Sequence, residues 1–134
     1  MRIEQLRQRL RDHGAKPCHE QRVLRAWLQA RALDSGARRQ RPEDYLPLNV
    51  RNMLPAFSAD LEALARVHAE HPGEDGSARL LVELADGQTV ESVLLPRDGL
   101  CVSTQVGCAV ACVFCMTGRD GLRRQLGSAE IVAQ

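Results

Sequence analysis

Cys108-Ala109-Val110-Ala111-Cys112-Val113-Phe114-Cys115 is the stretch on which the reading of this chain turns. Three thiols at spacing C-x3-C-x2-C stand just after Gly107 and just before Met116-Thr117-Gly118. Three thiolates on one short loop can hold three irons of a cubane iron–sulfur cluster. Four-cysteine ligation is the commoner arrangement, so a three-cysteine loop leaves one iron for another ligand. A structural zinc site wants four ligands, commonly in pairs such as C-x2-C. Only one such pair exists here, Cys112 and Cys115, and all four histidines lie upstream at positions 13, 19, 68 and 71. Zinc, or inert buried thiols, remain the alternatives to a cluster.

The rest of the composition is compatible with a small soluble domain. At 134 residues the chain is long enough for one ordinary domain. Aromatic content is only 3%, so the core must be built from Leu, Val and Ala. The N-terminus, Met1-Arg-Ile-Glu-Gln-Leu-Arg, is charged and lacks the apolar block of a signal peptide. No apolar run approaches membrane-spanning length. A cytoplasmic location without membrane contact is therefore expected, where free thiols persist. Residues 1–56 carry 12 basic side chains against 6 acidic ones, whereas residues 57–134 carry 6 against 11. A basic front half suits an anionic partner such as RNA, or is simply a solvated arginine-rich surface.

Apolar spacing gives the elements. Ile3, Leu6 and Leu10 predict a helix over 2–12, ended by Gly14. Val23, Leu24, Trp27 and Leu28 predict a second over about 19–32, with Trp27 as a core anchor. Ser35–Pro42 reads as a loop whose Arg38, Arg39 and Arg41 are the candidate phosphate contacts. A short helix is expected in 43–53, with Pro47 and Pro55 keeping segments brief. Ser58 is expected to cap a helix carrying Leu61, Leu64 and Val67. These pieces predict a helical domain over 1–70.

Beyond the turn-rich His71–Gly76 the pattern changes. Arg79–Leu84 and Thr89–Leu95, separated by a stretch containing Asp86-Gly87, predict a β-hairpin within a connector over 71–99. Leu100–Ser103 is a short strand leading into the cysteine loop. Residues 121–127 read as irregular and basic, and Ser128 as the cap of a last helix. Ile131 and Val132 begin an apolar face that stops at Gln134. A strand, a chemistry-bearing loop and a helix make the first unit of a β/α barrel, expected over 100–134. One unit cannot close a barrel, so the chain reads as the front part of a longer protein. The fold class expected is α/β: helical domain, hairpin, then the start of a partial barrel.

The C-x3-C-x2-C spacing with Phe114 before the last cysteine resembles the signature of radical S-adenosylmethionine enzymes. The longer run Leu100-Cys-Val-Ser-Thr-Gln-Val-Gly-Cys108 through Cys115-Met-Thr-Gly118 closely resembles the RlmN/Cfr-type RNA methyltransferases. Gly73-Glu-Asp-Gly-Ser and Val90-Glu-Ser-Val-Leu-Leu-Pro96 are similar to the hairpin block that precedes the loop in that family. Gly14-Ala-Lys-Pro17 and Val23–Trp27 are similar to its helical accessory domain. The resemblance implies a [4Fe-4S] cluster held by Cys108, Cys112 and Cys115, with S-adenosylmethionine on the open iron and Phe114 beside the cofactor.

The resemblance also implies roles outside the loop. Cys101 matches a thiol that resolves a covalent enzyme–RNA adduct, and Glu91 matches a proton acceptor. On sequence alone, Cys101 could be a small buried hydrophobe and Glu91 a solvent-facing carboxylate. Cys18 matches no role and reads as structural. The implied activity is methylation of adenine C2 in large-subunit rRNA, with tRNA as a further substrate. The implied partners are RNA and an electron donor such as flavodoxin, and the full-length protein is expected to be a monomer. Met116-Thr-Gly departs from the more usual Ser-Thr-Ala, and the family's methyl-carrying cysteine is absent from this chain. A radical enzyme of another substrate class, or a non-catalytic metal- or RNA-binding module, are the competing readings.

Overall fold

The structure, a computed structural model, describes residues 1–35 and 45–134. The chain divides into two compact units. One is Arg2–Leu61, and the other is Glu62–Gln134 together with Met1.

The first unit is helical. Helix α1 spans Ile3–Asp12, α2 spans Pro17–Leu28 and α3 spans Leu48–Ala63, the last crossing the unit boundary. Leu6 and Leu10 of α1 are fully buried, as their spacing predicts. Pro17 stands at the start of α2, where its missing N–H costs no hydrogen bond. Trp27 is only half-buried; the deepest aromatic is Phe57, at 0% exposure. Arg9 lies over the Phe57 ring, 5.3 Å from its centroid. Its guanidinium bonds Asp60 at 2.6 Å.

Helix α3 corrects two expectations. It runs through Pro55 instead of stopping there, and Ser58 lies mid-helix instead of capping a new one. Val50, Leu54, Phe57 and Leu61 form one helical stripe of buried side chains. Burying four such residues outweighs the roughly 3 kcal/mol that an interior proline costs. Val67 is not helical at all, because residues 65–72 form a strand. The helical unit accordingly ends near Leu61 and not at 70.

The second unit is built on two antiparallel sheets. Strands β1 (Ala65–Pro72), β2 (Ala78–Leu84), β3 (Thr89–Leu95) and β4 (Gly99–Cys101) pair in that order. The predicted hairpin is β2–β3. Its turn is closed by Leu84 N–H to Gln88 O at 2.8 Å, with Gly87 at φ +78° where a side chain would be strained. Strands β5 (Gln105–Gly107) and β6 (Leu122–Gln125) form a two-stranded ribbon, and α4 spans Ser128–Ala133. Residues read as irregular around Arg123 and Arg124 are thus a strand. The cysteine loop is the connection between β5 and β6. Gly127, not Ser128, occupies the cap position of α4; its N–H donates to Glu130 Oε2 at 2.7 Å.

Alternation on β2 and β3 puts Leu80, Val82, Leu84 and Val90 on one face. They pack with Val106 of β5 and Leu126 into the core of this unit, with Ile131 of α4 against it. The opposite face carries Leu81, Glu91, Val93 and Cys101, where Leu81 is paired with Glu91 and Val93 with Cys101. Every strand pairing among the described residues is antiparallel. Among the described residues no helix is long and apolar enough to cross a membrane.

Candidate functional site

The cysteine loop is pinched at its neck by glycine. Gly107 has φ +74°, and a Cβ there would stand 1.9 Å from the Gly121 carbonyl oxygen. That close approach lets Cys108 N–H donate to Gly121 O at 3.2 Å. Across the loop, Gly118 lies so near Ala111 that a Cβ would meet its Cα at 2.7 Å. Ala111 itself has φ +50°, a strained conformation for a residue with a side chain. A turn brings Cys115 N–H to Cys112 O at 3.0 Å, and a 3₁₀ turn follows over Met116–Gly118.

Cys108, Cys112 and Cys115 are half-buried free thiols. The Thr117 hydroxyl, and then its backbone, hold the Cys115 thiol below its ordinary pKa, against a smaller opposing effect of burial. Glu91 pushes the other way, so its carboxylate acts on Cys115 electrostatically. Val113 and Phe114 project almost fully into solvent, Phe114 at 92% exposure. Among the described residues no three His, Cys, Asp or Glu side chains are gathered as a metal-holding group. The donor set nonetheless suits an iron–sulfur cluster: three soft thiols on one loop, none consumed by a disulfide.

Glu91 and Cys101 share the sheet face away from the apolar core. Glu91 is half exposed, 4.0 Å from Arg79 Nη1, and its backbone carbonyl accepts the Ser103 hydroxyl at 2.6 Å. Cys101 is exposed, which removes the buried-hydrophobe reading. Cys18 is exposed too and is not a core residue. A cleft of about 420 Å³ opens beside β3, where β4 no longer pairs with it. Thr89, Glu91, Ser103, Met116, Thr117 and Arg123 are among its lining residues. The structure therefore brings Glu91 to the cysteine loop, while Cys101 and the three loop cysteines are not among the residues lining the cleft. Arg38, Arg39 and Arg41 lie outside the described residues.

Five contributing residues escape the sequence reading. Thr117 looked like part of a departure from a motif, yet it is the residue bonded to Cys115. Gln134 and Ser103 are joined across 31 residues, and Asp86 and Arg124 across 38. No local signal marks such long-range pairs.

The chain is similar over its whole length to part of several larger proteins. A probable RNA methyltransferase of Thiobacillus denitrificans is 75% identical over 134 residues, all of this chain and 36% of that protein. A probable RNA methyltransferase of Pseudomonas aeruginosa is 69% identical over the whole chain and 39% of its own length. The crystal structure of a radical SAM methyltransferase from Sphaerobacter thermophilus matches with a TM-score of 0.62 at 32% identity. That match covers 99% of this chain and 38% of that one. The fold is similar to part of that methyltransferase. The chain spans under two-fifths of the length of these curated relatives. No protein-family model matches it.

Proposed function

We propose that this chain is the cluster-bearing portion of a radical S-adenosylmethionine RNA methyltransferase of the RlmN/Cfr type. Its target is adenine C2 in large-subunit rRNA, with tRNA as a further substrate. The observation that carries the reading is the single loop between β5 and β6 that holds three free thiols, followed by Met116 and Thr117, which line one cleft with Glu91. Relatives named as probable RNA methyltransferases and a radical SAM methyltransferase of like fold support it.

In this reading Cys108, Cys112 and Cys115 would hold a [4Fe-4S] cluster, which would supply the electron for reductive cleavage of S-adenosylmethionine. The chain's own residues do the rest. The Gly107–Gly121 neck fixes where the loop leaves the ribbon, and Thr117 donates hydrogen bonds to the Cys115 sulfur. Phe114, whose ring is exposed, would contact the cofactor. Glu91 accepts the proton lost from the modified base, and the Cys101 thiolate attacks the sulfur of the full-length protein's methyl-carrying cysteine, so that a disulfide forms as the sulfur–carbon link to the base breaks and the freed methyl carbon takes up a proton. Both stand on the same sheet face, as joint action on one substrate requires. Strand β4 with α4 begins the β/α barrel. The helical unit contributes RNA contacts, with a flavodoxin-type protein as electron donor and the cytoplasm as the setting.

The test is anaerobic methylation of protein-free large-subunit rRNA by the full-length protein, with nucleosides resolved by mass spectrometry. 2-Methyladenosine is the expected product. Methyl transfer to another base, or none with a fully loaded cluster, would overturn the reading.

A further inference from the structure

Glu91 and the cysteine loop belong to different sheets. The β1–β4 sheet and the β5–β6 ribbon share no hydrogen-bonded ladder. Apolar side chains between them resist separation but set no fine register, because burial is not directional. Polar ties must fix the remaining freedom.

Arg124 supplies one. It stands in β6, just past the cysteine loop. Its Nε donates to Asp86 Oδ2 at 2.8 Å. Its two terminal nitrogens grip Glu130 at 2.8 and 3.1 Å. Glu130 is itself held by Gly127 N–H at 2.7 Å and the Met1 ammonium at 3.1 Å. Asp86 is more open, at 40% exposure, and its other oxygen accepts Gln88 N–H at 3.1 Å. The guanidinium is only 29% exposed and the Glu130 carboxylate 6%. A planar fork between two hydrogen-bonded carboxylates defines direction as well as distance. Asp86 lies on the β2–β3 turn, five residues before Glu91 and three before the start of β3.

We propose that Asp86 and Arg124 are positioning residues: their bridge sets the hairpin that carries Glu91 against the ribbon that carries the cysteine loop. This rests on the role given to Glu91 above, and its test separates the two. In the full-length protein Asp86→Asn keeps the shape of the turn but weakens the charged tie. Iron and sulfide content and 5′-deoxyadenosine release are expected to stay unchanged. The turnover number for RNA methylation should fall roughly tenfold or more with KM for RNA unaltered, as for a misplaced reacting group. Amides of 89–91 should exchange hydrogen faster in the cluster-free protein as well. Asp86→Glu should restore most of the turnover. Adding Asp86→Asn to Glu91→Gln should cause no further loss, because both act through one carboxylate.

An unchanged turnover number with faster exchange would make the bridge merely structural and overturn the proposal. Loss of cluster in step with turnover would also overturn it, by placing the effect in the loop's own folding. A fully active Glu91→Gln variant would overturn it at its premise, while the methyltransferase reading would still stand or fall on its own product assay.

Discussion

The side-chain amide of Gln134 pairs with the backbone of Ser103 in both directions. Gln134 Nε2 donates to Ser103 O at 2.8 Å, and Oε1 accepts Ser103 N–H at 3.0 Å. The geometry imitates a neighbouring strand where β4 has stopped pairing with β3. The same Oε1 accepts the hydroxyl of Ser92, which is 1% exposed. Replacing Gln134 by Leu leaves a buried hydroxyl and a backbone pair without partners. Each such group costs about 1–3 kcal/mol, so chemical denaturation of the full-length protein should show a loss of that order. A loss under about 0.5 kcal/mol would mean that water replaces the amide.

Cluster binding should depend on all three loop thiols. After anaerobic reconstitution, the full-length protein should carry iron and sulfide near four each, with charge-transfer absorption, as a cubane cluster does. Replacing Cys108, Cys112 and Cys115 together by Ala should abolish both. Retained iron and sulfide in the triple variant would point to other ligands.

Acid should loosen the second unit through Glu130. The Arg124 hydrogen bonds lower its pKa to about 2. Gly127 N–H and the Met1 ammonium act in the same direction, while burial opposes them. A carboxyl with a depressed folded pKa stabilises fully above its unfolded value, here near 4.5, and loses that contribution as pH falls toward 2. The contribution is on the order of 3 kcal/mol. Glu130→Gln should flatten the stability profile between those pH values, measured by denaturant titration. A profile as steep as the parent's would assign the acid sensitivity elsewhere.

Gly107→Ala should damage the neck of the loop. Its φ of +74° is strained for alanine, and the new methyl would meet Gly121 O at 1.9 Å. Only a backbone shift can relieve that clash, at more than about 3 kcal/mol. Gly14→Ala is the control. Gly14 also has positive φ but has open space around it, so only the smaller conformational cost applies. Cluster content should fall in Gly107→Ala and hold in Gly14→Ala. Equal content in the two would show that the neck does not position Cys108.

The arginines of the basic front half should carry salt-sensitive RNA affinity. Changing Arg38, Arg39 and Arg41 to Ala should lower the slope of log affinity against log salt by up to about three, one for each phosphate that is no longer neutralised. Filter binding across a salt series reads this directly. An unchanged slope would leave them as solvated surface.

The sequence by itself determined the elements whose signals are local. Leu6 and Leu10 on one helical face, Gly14 ending α1, and Asp86-Gly87 turning a hairpin each depend on residues a few positions apart. The C-x3-C-x2-C spacing likewise named the cluster candidates, because one loop must hold them whatever surrounds it. Tertiary structure decided the rest. Pro55 stays inside α3 because Val50, Leu54, Phe57 and Leu61 find a common core, and a local propensity cannot weigh that gain. Val67 and Arg124 joined strands because partners 15 and 18 residues away, Val82 and Val106, completed their ladders. Which face of the sheet Glu91 shares with Cys101, and which arginine ties the hairpin to the loop, depended on register and on charge pairs 38 residues apart. Those pairings form only once the chain has folded, since no neighbour in sequence records them.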